Sequence, residues 1–530
     1  MFRSLVLFVF LCLGCNAHKI FVYSPLMGHS HVNFMGRIAD TLTDAGHNVT
    51  YVVPVMDLKL KKTCVKTTKD VRILPASKEV EEIMSAGHDH QIKTLWAMKH
   101  DPLSLMKVFG NMTKAFALTC KQVLNDKKFL DDIASEKFDI LIAEPFFLCP
   151  FALAEKLKIP VTIGALSTIQ SEVISDIIGE PVLPSFVPGS MSVAQSDMSF
   201  YERFKNTLSV TAMRYLFLDS YKVESDVIKE AFGSNFKSYT EYLADVSYVF
   251  TNAHPYLSYP RPLNRKTLEL GGIVVDQSLK DKSNLKEFDA ILNERKHTVL
   301  VSFGSVAKSK DMPEDHKKTL LSVFEEMKDV TFIWKYEEDT TMADHLPNVH
   351  LAKWMPQVAL LNDPRLSLFV THGGLGSLGS TTEVAYLGKP AVFIPLFADQ
   401  PSNAIMASRY GGAIVLEKTL LDNKEKIKEA FNEVLSNKKY EENAKKLSII
   451  LNNSPTNPKD ILVRHIEFAG RVGRIPNLDC EGRNLNLFQF FSLDIYLAVI
   501  VIILSIISLI YIIIRKIVKY CTNKLKVKSE

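Results

Sequence analysis

Short apolar runs alternate with amphipathic stretches along most of this chain. Lys19–Ser24 (KIFVYS) reads as a strand, and Pro25–Ser30 breaks it. Val32, Met35, Ile38, Ala39 and Leu42 then recur on one helical face, Gly46 ends the pattern, and Val49–Val53 is the next strand. Val80–Asp131 is mostly helical in pattern, with large apolar residues able to wall a hydrophobic pocket. Phe138–Ala143 (FDILIA) predicts a buried strand, followed by a helix through Cys149 to Lys156 and a strand at Pro160–Gly164 (PVTIG). Gly179–Phe200, rich in Pro, Gly and Ser, predicts a long ordered loop or flap. Phe204–Phe232 is helical, Ser247–Thr251 a strand, His254–Leu270 irregular, and the charged stretch Asp276–Lys286 an interdomain linker.

The rhythm then restarts. Strands are predicted at Thr298–Phe303, Val330–Lys335, Val349–Ala352, Leu366–Thr371 and Ala391–Ile394. Helices are predicted at His316–Met327, Ile427–Leu435, Tyr440–Leu451 and Asp460–Phe468. Strand–helix–strand units in two series predict an α/β protein of two Rossmann-like domains facing across a cleft, with no solenoid repeat. Ligands in such sheets bind beyond the carboxyl ends of the strands. Leu366–Gln400 is the most informative stretch. A strand ends at His372-Gly373-Gly374, a helical pattern carries Glu383, Gly388 and Pro390 stop it, and Asp399-Gln400 follows the next strand. Glycines there allow close backbone approach, and a helix start offers N–H groups to an anion. The pattern is neither the dinucleotide GxGxxG nor the P-loop.

Two segments are apolar throughout. Met1–Ala17 has Arg3, the run LVLFVFLCL and a small-residue end, the pattern of a signal peptide cleaved before His18. Ile495–Ile514 supplies twenty apolar or weakly polar residues, enough to cross a hydrocarbon core of about 30 Å. Arg515, Lys516, Lys519, Lys524, Lys526 and Lys528 follow it, which predicts a cytosolic tail and a lumenal body. Lys plus Arg is 63 against Asp plus Glu at 59, so no bulk field favours nucleic acid. Outside the signal and tail, Cys64, Cys120, Cys149 and Cys480 allow three pairings. Sequons stand at Asn48, Asn111 and Asn452, and Asn111 is the expected one to carry glycan.

Polar residues collect at predicted strand ends: His31, Glu144, Ser305, Gln357, His372, Asp399 and Gln400. A histidine near pKa 6.5 can take a proton from a hydroxyl, and a carboxylate on its other nitrogen fixes the tautomer. His31 and Glu144 are candidates for that pair, with His29 in the same turn as the rival. Trp354 is able to stack on a flat base, though a lone Trp is as often core packing. There is no HExxH, no zinc-spaced Cys pair and no GxSxG elbow, so neither a metal nor a serine hydrolase is expected. The absence of GxGxxG after the first strand argues against a nicotinamide oxidoreductase.

Trp354-x-x-Gln357, Thr371-His372-Gly373-Gly374, Glu383 and Asp399-Gln400 together closely resemble the UDP-glycosyltransferase signature. The opening SPLMGHSHVNFMGRIADTLTDAGHNVT, FDILIAEPFFLC and the single C-terminal span are similar to the membrane-bound animal UDP-glucuronosyltransferases, nematode members in particular. The resemblance covers essentially the whole chain. It implies the glycosyltransferase type B fold, with residues 18–275 taking the acceptor and 276–459 the UDP-sugar. A returning helix and membrane-proximal segment (460–494), a transmembrane helix (495–514) and a basic tail (515–530) would follow.

The resemblance also assigns roles. His31 matches the catalytic base and Glu144 the carboxylate behind it, where the best-known animal members have Asp. Trp354 and Gln357 match the uracil and ribose contacts. Ser305, His372, Gly373 and Gly374 match the pyrophosphate site, Glu383 the ribose carboxylate, and Asp399 with Gln400 the sugar-hydroxyl pair. The implied reaction is inverting transfer of glucuronic acid or glucose from a UDP-sugar to a hydroxyl of a small lipophilic acceptor. No cofactor or metal is implied. Lys526-x-Lys528 resembles a dilysine retrieval signal, implying the endoplasmic reticulum membrane, and homo- or hetero-oligomers are possible in this family. One departure stands out: three more residues than usual separate Gly374 from Glu383, as a duplicated Leu-Gly-Ser. As added helix they span about 4.5 Å and would displace Glu383 from His372. As a bulge in the glycine-rich turn they would leave both in place, and the bulge is the expectation. The alternative is a catalytically impaired, membrane-tethered binding or dimerisation partner of active glycosyltransferases.

Overall fold

The computed structural model describes residues 17–86, 95–96, 102–233, 236–275, 285–304, 307–338, 341–375 and 380–527. The signal-peptide expectation, most of the charged linker and Ser305 therefore lie outside the described residues. The chain divides into two compact units, Met1–Asp479 and Cys480–Glu530.

The first unit holds two parallel sheets. One comprises β1 (Lys19–Tyr23), β2 (Asn48–Pro54), β3 (Asp70–Leu74), β4 (Ile140–Ala143), β5 (Val161–Leu166), β6 (Tyr248–Thr251) and β7 (Thr267–Glu269). Its spatial order is β3-β2-β1-β4-β5-β6-β7. The other comprises β8 (His297–Ser302), β9 (Val330–Lys335), β10 (Val349–Ala352), β11 (Leu366–Thr371), β12 (Ala391–Phe393) and β13 (Ala413–Val415), in the order β10-β9-β8-β11-β12-β13. Every pairing in both sheets is parallel; Val22 sits opposite Tyr51 on one side and Ile142 on the other. Helices cover both faces, which is why the central strands read as unbroken apolar runs rather than alternating ones.

Both sheets reverse strand order once, at β1/β4 and at β8/β11. A doubly wound sheet opens a crevice at that reversal, because the connections leave on opposite faces. Three sequence expectations need adjustment. β5 runs on to Leu166, two residues past the PVTIG run. β7 lies inside the stretch expected to be irregular. β3 and β13 are short strands that no strong apolar run announced. Residues 180–199 form an ordered loop. Asn206 ties it down, accepting from Gly189 N at 2.9 Å and donating to the Pro184 and Val187 carbonyls at 2.8 and 3.0 Å.

The helix Pro458–Val472 returns to the first sheet. Its buried Leu462, Ile466 and Ala469 join the core of Ile20, Val22, Ile38 and Phe250. Leu462 and Ile466 each stabilise by about 1.5–3 kcal/mol on burial, so this helix ties the two halves of the chain together.

In the second unit, Leu493–Val527 is one continuous helix, and its apolar side chains from Ile495 to Ile514 are exposed. Among the described residues it is the one helix long and apolar enough to cross a membrane.

Of the three cysteine pairings open to the sequence, the fold selects one bond. Cys120, in helix Pro102–Asn125, is joined to Cys149 at the start of helix Cys149–Lys156, while Cys64 and Cys480 are free thiols. Closing a loop 29 residues long restricts the unfolded chain, an effect of about 2–4 kcal/mol. The Cys120→Ala/Cys149→Ala double variant is therefore expected to unfold several degrees below wild type in a thermal scan. An unchanged midpoint, with four titratable thiols among these cysteines in the native wild type, would contradict the assignment.

Candidate active site

The first rim of the site lies at the β1/β4 reversal. His31 stands in the first turn of helix His29–Asp44, just after β1 and an extended Gly28. Glu144 follows β4 directly, and its side chain is only 1 % exposed. The strand order brings the two together: His31 Nδ1 is 2.9 Å from Glu144 Oε2 and 3.1 Å from Oε1. The backbone N–H of Ser167, the residue after β5, donates to Glu144 Oε1 at 3.0 Å, and Ser167 Oγ lies 2.8 Å from the same His31 nitrogen. These acceptors place the proton on Nδ1 and leave the Nε2 lone pair free to take another. Burial works against the imidazolium. The charge and hydrogen bond of Glu144 outweigh it, with the charge of Asp399 adding from the second sheet, so His31 titrates above 6.5. The ring edge also packs on Phe146, at 5.6 Å between centroids.

His29, the rival, faces elsewhere. Its Nε2 is 3.9 Å from Cys64 Sγ, and burial together with Lys62 and Lys335 lowers its pKa.

The second rim lies at the β8/β11 reversal. His372 follows β11 and its ring fits between two glycines. A Cβ on Gly304 would come within 2.7 Å of His372 Cε1, and one on Gly374 within 2.7 Å of Nε2. Gly304 and Gly373 also have left-handed backbone, with φ of +86° and +82°. Burial, with Lys335 nearby, pushes His372 down to about 4, so it is a neutral imidazole at physiological pH. A neutral ring can donate an N–H to a phosphoryl oxygen and remain uncharged afterwards. Lys335, the last residue of β9, donates to the Gly304 carbonyl at 2.6 Å and brings a cation to this rim.

Glu383 stands in the first turn of helix Ser380–Leu387, and Gln357 opens helix Gln357–Asn362. Gln357 Nε2 donates to Glu383 Oε2 at 2.6 Å. Among the described residues the other oxygen, Glu383 Oε1, is buried with no hydrogen-bond partner, and burial pushes this carboxyl up to about 7. A buried orphan acceptor costs free energy unless a ligand hydroxyl satisfies it. Trp354 follows β10 and is 69 % exposed, so it is no core residue; its indole face is open for stacking.

Asp399 caps helix Gln400–Ser408 and accepts from Asn403 Nδ2 at 2.8 Å. Gln400 is buried, and its Oε1 accepts from Leu396 N and Phe397 N at 2.9 and 3.2 Å, leaving the amide NH2 as the group it can offer. The three-residue excess lies within Leu375–Ser380, of which 376–379 are outside the described residues. On either side of it, Thr381 N donates to Gly374 O at 3.1 Å and Thr382 Oγ1 to Leu375 O at 3.2 Å. Among the described residues, no group of three or more His, Cys, Asp or Glu could hold a metal ion. Ser167, which follows β5, and Lys335, which ends β9, were not among the residues singled out from the sequence.

A family model described as UDP-glucoronosyl and UDP-glucosyl transferase matches residues 19–529. Caenorhabditis elegans ugt-48 is 29% identical over 515 residues, covering 93% of this chain and 94% of its own. Rabbit (Oryctolagus cuniculus) UDP-glucuronosyltransferase 2C1 is 28% identical over 494 residues, covering 91% and 95%. Among solved structures, Phytolacca americana UGT2 complexed with UDP-2fluoro-glucose and pterostilbene superposes with a TM-score of 0.55 at 16% identity, covering 85% of this chain and 99% of that one. The fold is that of the type B glycosyltransferases.

Two outcomes follow from this geometry. Removing the Glu144 charge, as in Glu144→Gln, is expected to move the His31 titration to lower pH, read by NMR of the imidazole nitrogens; an unmoved titration would contradict the pairing. Gly374→Ala is expected to displace the His372 ring and weaken nucleotide binding by about 10-fold or more, measured by calorimetry, while a wild-type affinity would contradict the close fit.

Proposed function

The chain belongs to the UDP-glucoronosyl and UDP-glucosyl transferase family, and on that premise we propose that it transfers glucuronic acid or glucose, with inversion, from a UDP-sugar to a hydroxyl of a small lipophilic acceptor. The observation that carries the reading is the buried Glu144 carboxylate against His31 Nδ1, with the charge of Asp399 reaching the same ring from the other sheet. In this reading the acceptor oxygen forms its bond to the anomeric carbon as its proton passes to His31 Nε2. The bond from that carbon to the UDP oxygen breaks, and UDP leaves with the electron pair. Glu144 stabilises the imidazolium that results.

The donor would stack its uracil on Trp354 and give ribose hydroxyls to Gln357 and to the unpartnered Oε1 of Glu383. The pyrophosphate would meet neutral His372 and the backbone at Gly373 and Gly374. Asp399 and the amide NH2 of Gln400 would hold the sugar hydroxyls. Charge developing on the leaving pyrophosphate would be met by donors already in place, which is the economical way to stabilise it. No metal takes part in this scheme.

The exposed aliphatic helix Leu493–Val527 supports membrane anchoring. The basic residues that follow the apolar run support a lumenal body, and we place the protein in the endoplasmic reticulum membrane. Acceptors that partition into a bilayer suit such an anchor.

The test is UDP release by the full chain in detergent, with UDP-glucuronate and with UDP-glucose, against a panel of phenols and steroids. Turnover with one donor preferred is expected, and His31→Ala is expected to lower kcat by about 10²–10⁴-fold. A folded protein that turns over neither donor, or a His31→Ala variant as fast as wild type, would overturn the reading.

A further inference from the structure

Trp96 lies in the chain between β3 and β4, within the excursion that leaves the first sheet, yet it is buried in the core of the second. It is 1 % exposed and packs among Val299, Val301 and Leu396. Its indole meets the ring of Phe303 edge-on at 5.1 Å. Phe303 directly precedes Gly304, the residue that flanks His372.

The same segment is fastened a second time. Lys418 is buried, and its ammonium donates to the Leu95 carbonyl at 2.8 Å and to the Leu396 carbonyl at 2.5 Å. Leu396 opens the short turn that ends at Asp399. Its N–H is already held by the Gln400 side chain at 2.9 Å, and Ala398 within the turn has φ of +53°, a left-handed conformation costly for a residue with a Cβ. A turn held in such a conformation persists only when its surroundings over-determine it. Gln400 supplies one constraint and Lys418 the other.

Among the described residues Lys418 has no carboxylate partner, which makes its burial expensive, and burial alone brings it down to about 8. A core of ordinary stability would place an apolar residue there. The two carbonyls explain what the ammonium does. One belongs to the turn of Asp399, and the other to a segment of the opposite half of the chain.

We propose that Trp96 and Lys418 are positioning residues: they plug a segment of the acceptor half into the donor half and thereby fix the Leu396–Asp399 turn against the donor sugar. They touch neither sugar nor nucleotide. The inference rests on the UDP-sugar reading and adds to it that donor recognition depends on the acceptor half through this plug. In that reading Asp399 and Gln400 face the sugar and not the nucleotide, so the plug controls affinity for the sugar rather than for UDP.

The test uses the full chain in detergent with Lys418→Met, Trp96→Leu and Trp96→Phe. The Trp96 indole N–H has no hydrogen-bond partner, so Trp96→Phe is the conservative variant. Lys418→Met is expected to raise the donor KM by about 10-fold or more and to leave the Kd for UDP within about 2-fold of wild type; Trp96→Leu is expected to raise the donor KM likewise, whereas Trp96→Phe keeps most of the wild-type KM. Hydrogen exchange over residues 396–399, measured without substrate, is expected to quicken in Lys418→Met. A wild-type donor KM and unchanged exchange in Lys418→Met would overturn the inference. So would a matched loss of UDP and UDP-sugar affinity alongside a lowered unfolding temperature, which marks a merely structural role. Wild-type protein that binds no UDP would instead overturn the glycosyltransferase reading, and this inference with it.

Discussion

A carboxylate buried at the end of β4 governs the first half of this molecule. Glu144 is removed from water, and such a group persists only with donors around it. The fold supplies them from its two neighbours. β1 leads into the helix that carries His31, and β5 ends at Ser167, whose backbone N–H faces the same carboxylate. The strand order is therefore the arrangement that keeps a buried charge satisfied. It also leaves one imidazole nitrogen free at the crevice. Loss of the carboxylate would free the imidazole to change tautomer, and loss of the imidazole would leave the carboxylate underpaired.

The second sheet repeats the layout with the opposite electrostatics. Among the described residues its histidine has no carboxylate partner; burial keeps His372 neutral between Gly304 and Gly374. One rim thus holds a histidine tuned to gain a proton, and the other a histidine tuned to stay neutral. These are the demands of a base and of an anion contact. Two sheets with similar crevices divide the proposed reaction between them, and Asp399 is the point where the second acts on the first.

The strands and their order of appearance were legible because parallel strands covered on both faces leave unbroken apolar runs, as at Phe138–Ala143 and Thr298–Phe303. The rim residues at the ends of those runs were legible for the same reason. The choice between His29 and His31 came from the resemblance alone, since two residues of one turn share a local sequence; in the fold the distant Glu144 separates them. Ser167 was missed because β5 continues through Gly164, Ala165 and Leu166, small and apolar residues that no breaker marks off from the PVTIG run. Lys335 was seen only as the last residue of a strand, because its role depends on the distant Gly304 carbonyl. The plug formed by Trp96 lies beyond any local pattern, since its partners Phe303 and Lys418 are more than two hundred residues away in sequence.

The account depends most on Glu383 and His372 serving one nucleotide despite the lengthened turn between them. Calorimetric titration of UDP into the full chain in detergent, with wild type and Glu383→Ala side by side, tests this directly. One UDP per chain, bound about 10- to 100-fold more weakly by the Glu383→Ala variant, is the predicted result. Wild-type protein that binds no UDP, or binds it with an affinity indifferent to Glu383, would contradict the account.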